Sequence, residues 1–484
     1  MPTHAFAGYP TRYLHAEPDP RSDRVQQLIW GDWVGFLGED SGEWTRVRGR
    51  NENGWIRKDQ LQDERLLEVD FVDVGQGDGA LVVTPDNELL LVDAGRFGNM
   101  LFYLSWRFDL PSDEPVAFQS AVISHSDQDH YGGFAGLFAE PDFTFGTLYH
   151  NGLVERAGAR LLGERQEQGK LRYLTDLILD DASLRQRLVD PAFIGRKQYP
   201  ALLRDAIDGG RVGPIRALSA IDRFLPGYEE GEELQIEVLG PVTETIGDRP
   251  ALRWFGDDGK TKNGHSVILR LHYRGVKILL GGDLNIPAER YLLNHYTGLD
   301  PNREEDHEAL LPAARETFTA DVAKACHHGS AEFTDVFLRA VDALATVISS
   351  GDDEPYAHPR PDSLGAIGKH GRGPRPLIFS TELARSTREF VENMQEQREE
   401  IERLQQELRD AVSPADIKRI DAELARAWHR WGRNVAVYGL INLRTDGRNV
   451  LLAYKLERPN GSVEWDVHCL EPDSTGTLQY VPER

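Results

Sequence analysis

The chain has 484 residues, of which 40% are hydrophobic, so it is long enough for about three domains and apolar enough to form packed cores. It carries 55 Lys and Arg residues against 79 Asp and Glu residues, a formal net charge of −24. Proteins that bind nucleic acid mainly through surface charge are basic, so a phosphodiester substrate here requires metal ions and a local cationic patch. The two cysteines, Cys326 and Cys469, exclude a disulfide framework.

The sequence shows no membrane-spanning segment and no secretory signal. It contains no apolar run of the length that a membrane helix needs. Residues 1–20 lack a basic segment followed by an apolar stretch. We therefore expect a cytoplasmic protein that does not act on a membrane.

Residues 1–64 are predicted to form a small all-β unit. Apolar and polar residues alternate in QQLIWGDWVGFLGE and in EWTRVRG, and NENGWIRKDQL contains an Asn-Gly turn signal. Short strands, several Trp residues and the GWI segment resemble a bacterial SH3-like barrel. Such a unit could dock a ligand or a protein partner. Alternatively, it is a small barrel that is stabilised by packing against the larger domain.

Residues 65–380 have the pattern of one large α/β hydrolase domain. Short apolar strands such as LLEVDFVDV, GALVVT and LLLVDAG are separated by Gly-rich or Pro-containing turns. Residues 151–232 are richer in Arg, Glu and Leu, and 160–190 have helical spacing, so we interpret 151–232 as a helical insertion. Strands return at LQIEVLGP, and IPAERYLLNHY predicts a helix.

Residues 381–432 predict two antiparallel helices, the second beginning at Ser413 and Pro414. An incomplete heptad seam favours a helical hairpin over a long coiled coil. The seam consists of Val391, Met394, Ile401 and Leu408, and it is broken by Arg398 and Gln405. The hairpin is either a dimerisation arm, which would make a homodimer, or a cover for its own domain. Residues 433–484 predict a strand hairpin that turns at Asp446-Gly447 and completes the hydrolase domain.

The segment SHSDQDHYGG, residues 124–133, is the main candidate for chemistry. Four metal-ligand side chains fall within six residues directly after an apolar strand. His125 and Asp127 are two positions apart and can serve one ion, whereas Asp129 and His130 lie on the turn into the next helix and can serve a second. Two cations about 3.5–4 Å apart would activate a shared hydroxide. Asp and Ser are also ordinary turn residues, but this spacing favours a metal site.

More candidate ligands follow other predicted strands. Asp283 ends KILLGGD, where its carboxylate could bridge two ions or cap the next helix. His327 and His328 follow DVAKAC, and one could ligate metal while the other binds substrate. His265 precedes SVILRL and either completes the first ion's shell or is a polar residue at a strand edge. His358, in a loop after ATVISS, either faces substrate and transfers a proton or is an ordinary loop histidine.

Together, the motifs FVDVGQGDGALV, HSDQDH, GGD and CHHGS resemble the metallo-β-lactamase fold, and within it the hydrolase branch of ComEC-type competence proteins. The likeness runs from about Leu66 to Ser380, and YGLINLRTDG resembles the branch's ending. It implies an α/β fold, a four-layer αββα sandwich. It also implies a metal shell that consists of His125, Asp127, Asp129, His130, Asp283 and one of His327 and His328. That branch usually carries Asn near the place where other members of the family have a third histidine for the first ion, and here Asn263 and His265 flank Gly264 at this place.

The ligand types bear on the metals and the reaction. We expect two divalent ions, Zn²⁺ or Mn²⁺, and the oxygen-rich first site of His125, Asp127 and Asp283 shifts preference toward Mn²⁺. The ions would supply hydroxide at neutral pH. Asp129 could orient that hydroxide, and His328 and His358 are the further catalytic candidates, because nearby histidines can stabilise charge on phosphate oxygens.

A cationic segment follows His358. Arg360, Lys369 and Arg372 are the predicted substrate-binding residues, and residues 358–375 contain only one acid, Asp362. The Gly-rich GKHGRGPRP could bind a phosphate backbone through amide and guanidinium groups. Alternatively, the segment is an ordinary solvated loop.

Three functions remain open from the sequence. The first is a dinuclear metal hydrolase that cleaves phosphodiester bonds in a nucleic acid, with DNA preferred, or in a nucleotide. The second is a hydrolase of a carbon ester, lactone or thioester, which the acidic composition favours. The third is a binding component that a protein partner activates through the SH3-like unit or the helical hairpin.

Overall fold

The computed structural model describes residues 3–50, 52–110, 115–351, 356–382, 394–431 and 439–482. An antiparallel seven-stranded sheet forms the amino-terminal unit, with the strand order β3-β2-β6-β5-β4-β1-β7 and a small core of its own. Its strands are β1 (His4–Ala7), β2 (Thr11–His15), β3 (Arg24–Ile29), β4 (Trp33–Ser41), β5 (Trp44–Gly49), β6 (Glu52–Arg57) and β7 (Leu61–Gln62). The unit is therefore all-β, as predicted.

A buried charge network attaches this unit to the rest of the chain. The guanidinium of Arg444 donates to the carbonyl oxygen of Trp30 at 2.7 Å, to Asp32 at 2.8 Å and to Glu68 at 3.2 Å. Asp32 also accepts from Arg50. Because Arg444, Asp32 and Glu68 are all buried, the charges compensate one another across the junction.

The first large sheet begins after this unit. Its early elements are β8 (Leu67–Phe71), β9 (Gly79–Val83), β10 (Leu89–Ala94), α1 (Asn99–Arg107), β11 (Val116–Ile123), α2 (Gln128–Tyr131), α3 (Phe134–Ala139) and β12 (Phe143–His150). Strands β10, β11 and β12 run parallel, so their carboxyl ends lie at one edge of the sheet.

The segment interpreted as a helical insertion is a mixture of strands and helices. It contains β13 (Arg165–Gln168), β14 (Leu171–Leu174), α4 (Asp181–Leu188), α5 (Pro191–Ile194), α6 (Gln198–Gly209) and β15 (Ile215–Ala217). The helical spacing predicted helix over 160–190, but the first half of this segment forms the two strands β13 and β14, and only the second half contains a helix, α4. Gly169 has a φ of +63° and turns the chain between β13 and β14, and the resulting hairpin pairs with a later strand.

The second large sheet follows. Its region contains β16 (Leu234–Gly240), β17 (Glu244–Ile246), β18 (Arg249–Arg253), α7 (Asp258–Gly264), β19 (Ile268–Tyr273), β20 (Val276–Leu280), α8 (Ile286–Thr297), α9 (His307–Phe318), β21 (Val322–Lys324), α10 (Asp335–Val341), β22 (Ala345–Ile348), α11 (Pro361–His370) and β23 (Leu377–Ser380). The predicted helix in IPAERYLLNHY is α8, which Asn285 caps by accepting from the amide of Ala288. Strands β20 to β23 run parallel.

The remaining elements are α12 (Met394–Asp410), α13 (Pro414–Trp431), β24 (Ile441–Thr445), β25 (Val450–Asn460), β26 (Val463–Pro472) and β27 (Leu478–Val481). The two helices pack on their own domain: the Trp431 ring stacks on Phe102 of α1 with a centroid distance of 4.2 Å. Ile401 is buried in the same core, and Arg398 pairs with Glu140. Val391 lies outside the described residues. These contacts favour the covering role over the dimerisation arm.

Two sheets packed face to face between helices confirm the predicted four-layer αββα sandwich. The orders are β15-β12-β11-β10-β9-β8-β24-β25-β26-β27 and β16-β19-β20-β21-β22-β23. One core joins the first sheet to α1, α12 and α13, a second lies between the sheets, and a third joins the second sheet to α8, α9 and α10. Among the helices of the described ranges, none is both long enough and apolar enough to cross a membrane.

Candidate metal centre

The carboxyl ends of parallel strands from both sheets meet at one edge of the sandwich. In the first sheet, β10 ends at Asp93-Ala94, and β11 leads directly into Ser124 and His125. In the second sheet, β20 leads into Asp283, and β21 leads into His327 and His328. Loops at the carboxyl ends of parallel strands are the usual location of ligand sites, because the strands hold them rigidly together. The sequence motifs therefore face one another across the two sheets.

Two glycines allow the loops to approach closely. A Cβ at Gly77, where φ is +103°, would lie 1.5 Å from the carbonyl oxygen of Asp129. A Cβ at Gly282, where φ is +54°, would lie 2.6 Å from the Cβ of Ser266. Only glycine fits these positions, which explains the Gly residues of GQGD and GGD.

The imidazoles converge on Asp283. Its Oδ2 lies 3.3 Å from Nε2 of His130 and 3.2 Å from Nε2 of His328. A ligand atom of His125 lies within 4.8 Å of those of His130 and Asp283. Asp129 joins from the other side, with Oδ2 at 3.8 Å from Nε2 of His328. These five side chains define what we call the metal cluster.

The metal cluster fits divalent ions. The Nε2 atoms of His125, His130 and His328 are buried and make no hydrogen bond to any described residue. Buried polar atoms without a partner are costly, and a bound cation would satisfy all three. Four overlapping groups of possible ligands lie within the described residues, and two of them consist of cluster residues only: His125, His130 and Asp283, and Asp129, His130 and His328. The other two bring in Asp78, once with Asp93 and His130 and once with Asp283 and His328. The cluster thus provides two adjoining positions for cations, each with imidazole nitrogen and carboxylate oxygen as ligands. This donor set suits Zn²⁺ and Mn²⁺.

A second layer of carboxylates orients these imidazoles, and the sequence analysis did not identify it. Asp93 contacts Nδ1 of His130 at 2.8 Å and accepts from the amide and the hydroxyl of Ser124. Asp78 contacts Nδ1 of His328 at 3.0 Å. By contacting Nδ1, each carboxylate turns Nε2 toward the cluster. Asp78 follows an apolar strand in a Gly-rich turn, the same signal that identified Asp283, and Asp93 lies at the end of β10, just before Gly95.

Lys324, another unpredicted residue, compensates the buried carboxylates. Its ammonium contacts Asp78, lies 3.7 Å from Asp283 and donates to the carbonyl oxygen of Gly282 at 3.0 Å. Burial by itself would raise the pKa of Asp78, but Lys324 and His328 outweigh burial and lower that pKa to about 2. Asp78 is therefore a permanent anion that holds both His328 and Lys324.

Two histidines of the cluster, His130 and His328, have raised pKa values because carboxylates surround them. Burial opposes the charged form of His328, yet Asp283 and Asp78 raise its pKa to about 10. The pKa of His130 is likewise raised well above its ordinary value, because Asp283 and Asp93 outweigh burial. A metal ion at these positions must displace the protons, so its affinity falls as the pH falls.

Asp127 lies at the rim and is held by other residues. The ammonium of Lys262, on α7, contacts Oδ1 of Asp127 and lies 2.7 Å from Glu155. The side-chain amide of Asn263, in the orientation that satisfies its neighbours, donates to Oδ2 of Asp127 at 3.0 Å. Nε2 of His125 is 3.7 Å from the same oxygen. Burial alone would raise the pKa of Asp127, but His125 and Lys262 lower it.

The structure distinguishes His327 from His328. Nε2 of His327 is 3.9 Å from Asp283, and within the described ranges this residue joins none of the ligand groups. His328 joins two of them, so of the two histidines between which the sequence left the choice open, the geometry favours His328 as the ligand. The half-buried ring of His358 lies 5.6 Å from that of His327 and 6.2 Å from that of His328, between centroids. His358 therefore lies beside the cluster.

His265 is a correction to the predicted ligand set. Its Nε2 lies 2.7 Å from the carbonyl oxygen of Arg253, and its ring stacks on Phe255 with a centroid distance of 4.7 Å. Burial lowers the pKa of His265 to about 4, so it is a neutral donor to that carbonyl. Among the residues that the structure describes, no ligand group contains it. The strand-edge alternative describes its position better.

Helix α11 separates the residues of the predicted cationic patch from one another. The amide of Arg360 donates to the carbonyl oxygen of Gly329, so Arg360 lies beside the histidine pair. Helix α11 then carries the chain about 15 Å away, at 1.5 Å per residue. The guanidinium of Arg372 pairs with Asp321, which precedes β21 at the opposite edge of the sheet, and Lys369 lies on the last turn of α11 near Asp335. The pairing of Arg372 with Asp321 does not support its predicted substrate-binding role, whereas that of Lys369 stays a prediction.

Comparison with known proteins agrees with this geometry. A family model described as the metallo-beta-lactamase superfamily matches residues 72–330, more than half of the chain. ComE operon protein 3 of Bacillus subtilis (strain 168) is 23% identical over 322 residues, which cover 63% of this chain and 31% of that protein. This chain thus spans only about a third of the relative's length. The resemblance predicted from the motifs is confirmed, and the chain belongs to the metallo-beta-lactamase superfamily of metal-dependent hydrolases.

Proposed function

We propose that this chain is a metal-dependent phosphodiesterase that acts on nucleic acid, with DNA as the preferred substrate, in the cytoplasm. The observation that carries the proposal is the convergence of three buried imidazoles and the carboxylates of Asp129 and Asp283 on one space. Its similarity to ComE operon protein 3 and the motifs that it shares with the ComEC-type branch support the choice of a phosphodiester.

Divalent ions held by His125, His130, His328, Asp129 and Asp283 would supply a hydroxide at neutral pH and neutralise negative charge on a phosphate. The chain's own residues supply orientation and proton transfer. Asp129 is only partly buried, and its carboxylate accepts a hydrogen bond from the side-chain amide of Gln76 at 3.5 Å. This carboxylate is therefore accessible from the substrate side, where it can accept a proton.

Two arginines near the metal cluster suit an anionic substrate. Arg96 donates to Gln76, the residue that contacts Asp129, at 2.7 Å. Arg360 begins the helix beside the histidine pair and is exposed. In a protein of net charge −24, a polyanion is held by such local groups and by the metal ions, because the overall field repels it. His358 lies on the same side and can donate a proton to the leaving oxygen.

The test compares substrates on purified protein with Mn²⁺ and with Zn²⁺. The substrates are single-stranded DNA, double-stranded DNA, bis(p-nitrophenyl) phosphate and p-nitrophenyl acetate. We expect metal-dependent cleavage of the phosphodiesters that Asp283→Asn abolishes and His265→Gln retains. Cleavage of the carboxylic ester alone would replace this proposal with the ester, lactone or thioester hydrolase. If no substrate is cleaved until a protein partner is added, the partner-activated alternative gains support.

A further inference from the structure

One buried ammonium lies between two carboxylates at the edge of the metal cluster. Lys262 contacts Oδ1 of Asp127 and lies 2.7 Å from Oε1 of Glu155. The Lys262 and Glu155 side chains are each 12% exposed, and Asp127 is 28% exposed. With Asn263 donating to the other oxygen of Asp127, both oxygens of that carboxylate already have donors.

His125 differs from Asp127 in this respect. Its Nε2 is buried and has no hydrogen-bond donor or acceptor in the described part of the chain. A cation that uses His125 and Asp127 together must therefore compete with both donors for this carboxylate, and Lys262 is the charged one. By contrast, among the described residues Lys262 forms ion pairs with Asp127 and Glu155, and with neither Asp129 nor another carboxylate of the metal cluster.

We propose that Lys262 competes with a metal ion at His125 and Asp127 for that carboxylate, so that this position binds a divalent ion more weakly than the position at Asp129, His130 and His328. The ion at Asp129, His130 and His328 is held tightly. The ion at His125 and Asp127 is weak, because it must displace an ammonium and then remain near that positive charge in a poorly solvated place. This inference deepens the metal site of the proposed function and does not depend on the substrate.

The insertion supplies the alternative partner that makes displacement feasible. Glu155 comes from the segment after β12, and its other carboxylate oxygen lies 4.0 Å from Lys197. When Asp127 turns to a metal ion, Lys262 keeps Glu155 as its counter-charge and is not left unpaired. Glu155 therefore favours the second metal ion, whereas Lys262 opposes it.

The experiment titrates the metal-free full-length protein with Mn²⁺ by isothermal titration calorimetry, and counts retained ions by mass spectrometry after dialysis. The wild type is expected to show one tight and one weak site. Lys262→Met is expected to strengthen the weak site by roughly tenfold or more, since it removes a unit positive charge beside the ion. Glu155→Gln is expected to weaken it, and Lys262→Arg is expected to resemble the wild type.

Two controls separate competition from a general effect of charge. Lys260→Met removes an exposed ammonium from the same helix, and Lys197→Met removes the next ammonium along the chain of charges. Both are expected to leave the weak site unchanged. Two equal tight sites in the wild type would overturn the proposal, as would an unchanged weak site in Lys262→Met. Thermal unfolding without metal shows whether each variant is folded. The binding results stand even if the protein has no phosphodiesterase activity, so failure of the proposed function and failure of this inference can be told apart.

Discussion

Nε2 of His328 lies 3.2 Å from Oδ2 of Asp283, a closer approach than the 3.9 Å of the neighbouring His327. Both histidines have left-handed backbone conformations, with φ values of +53° and +49°. Such conformations are costly for non-glycine residues and occur where the surroundings hold them. Here they direct adjacent side chains differently, with His328 buried and His327 partly exposed.

The first prediction follows from this difference. We expect His328→Ala to lose most of the metal that the wild type retains after dialysis, because it removes a ligand from the metal cluster. His327→Ala should retain near wild-type metal, since its ring joins no ligand group within the described residues. Metal content measured by mass spectrometry checks both variants. Greater loss in His327→Ala would return the ligand role to that residue.

The second prediction concerns the buried ammonium of Lys324. Lys324→Met leaves Asp78 and Asp283 without their cation, and breaking a buried pair costs about 3–5 kcal/mol of unfolding free energy. Added Mn²⁺ should recover much of this loss, because the metal compensates the same carboxylates. Urea unfolding with chelator and with Mn²⁺ provides the comparison. Lys277→Met, on β20, is the control, and equal losses in both conditions would contradict the idea.

The third prediction concerns Glu289, a buried residue of α8 outside the metal cluster. Burial raises its pKa from 4.5 to about 8. Its contribution to stability is therefore present below pH 4.5 and is lost as the pH rises toward 8, because the unfolded chain gives up the proton first. Glu289→Gln should gain on the order of 1–3 kcal/mol relative to the wild type at pH 8 and little at pH 4.5.

Unfolding in urea at several pH values measures this change. The matched control is Glu308→Gln on the exposed face of α9, which should not alter the pH dependence. A gain in Glu289→Gln that is equal at every pH would show that ionisation of Glu289 is not the cause.

The fourth prediction concerns the junction between the amino-terminal unit and the large sheet. Arg444→Met leaves Glu68 and Asp32 without a shared buried partner, so we expect a loss of about 3–5 kcal/mol of unfolding free energy. Arg46→Met removes an exposed pair with Glu39 and should cost less than about 1 kcal/mol. Urea unfolding compares the two. Similar small losses would show that the junction contributes little to stability.

The fifth prediction depends on the proposed function. Arg360→Ala should raise the KM for DNA, because its backbone lies beside the histidine pair and its side chain is exposed. Lys369→Ala should leave the KM unchanged, since Lys369 lies on the last turn of α11, at the end of the helix away from Arg360. Steady-state kinetics with Mn²⁺ distinguish the variants. An equal rise in KM for both variants would support the prediction that the cationic segment binds substrate as one surface.

Many of the strands and most residues of the metal cluster could be predicted from the sequence. An apolar strand followed at once by ionisable residues identifies a strand end, and this pattern located His125, Asp129, His130 and Asp283. The same pattern at Asp78 and Asp93 was available but was interpreted only as strand and turn. The failure at residues 160–174 has a local cause, because a Gly169 turn and pairing with β18 override the helical spacing of the apolar residues.

What only the tertiary structure decided is which side chains share a space. His265 has the residue type of a ligand, but a nearby carbonyl oxygen takes its Nε2. Lys369 and Arg372 are close to His358 in the sequence, yet a rigid helix moves them to the opposite edge. Lys262 reaches Asp127 from another loop, and sequence spacing does not encode that contact. Residue type and strand pattern fix the local chemistry, whereas packing of the two sheets fixes the partners of each charge.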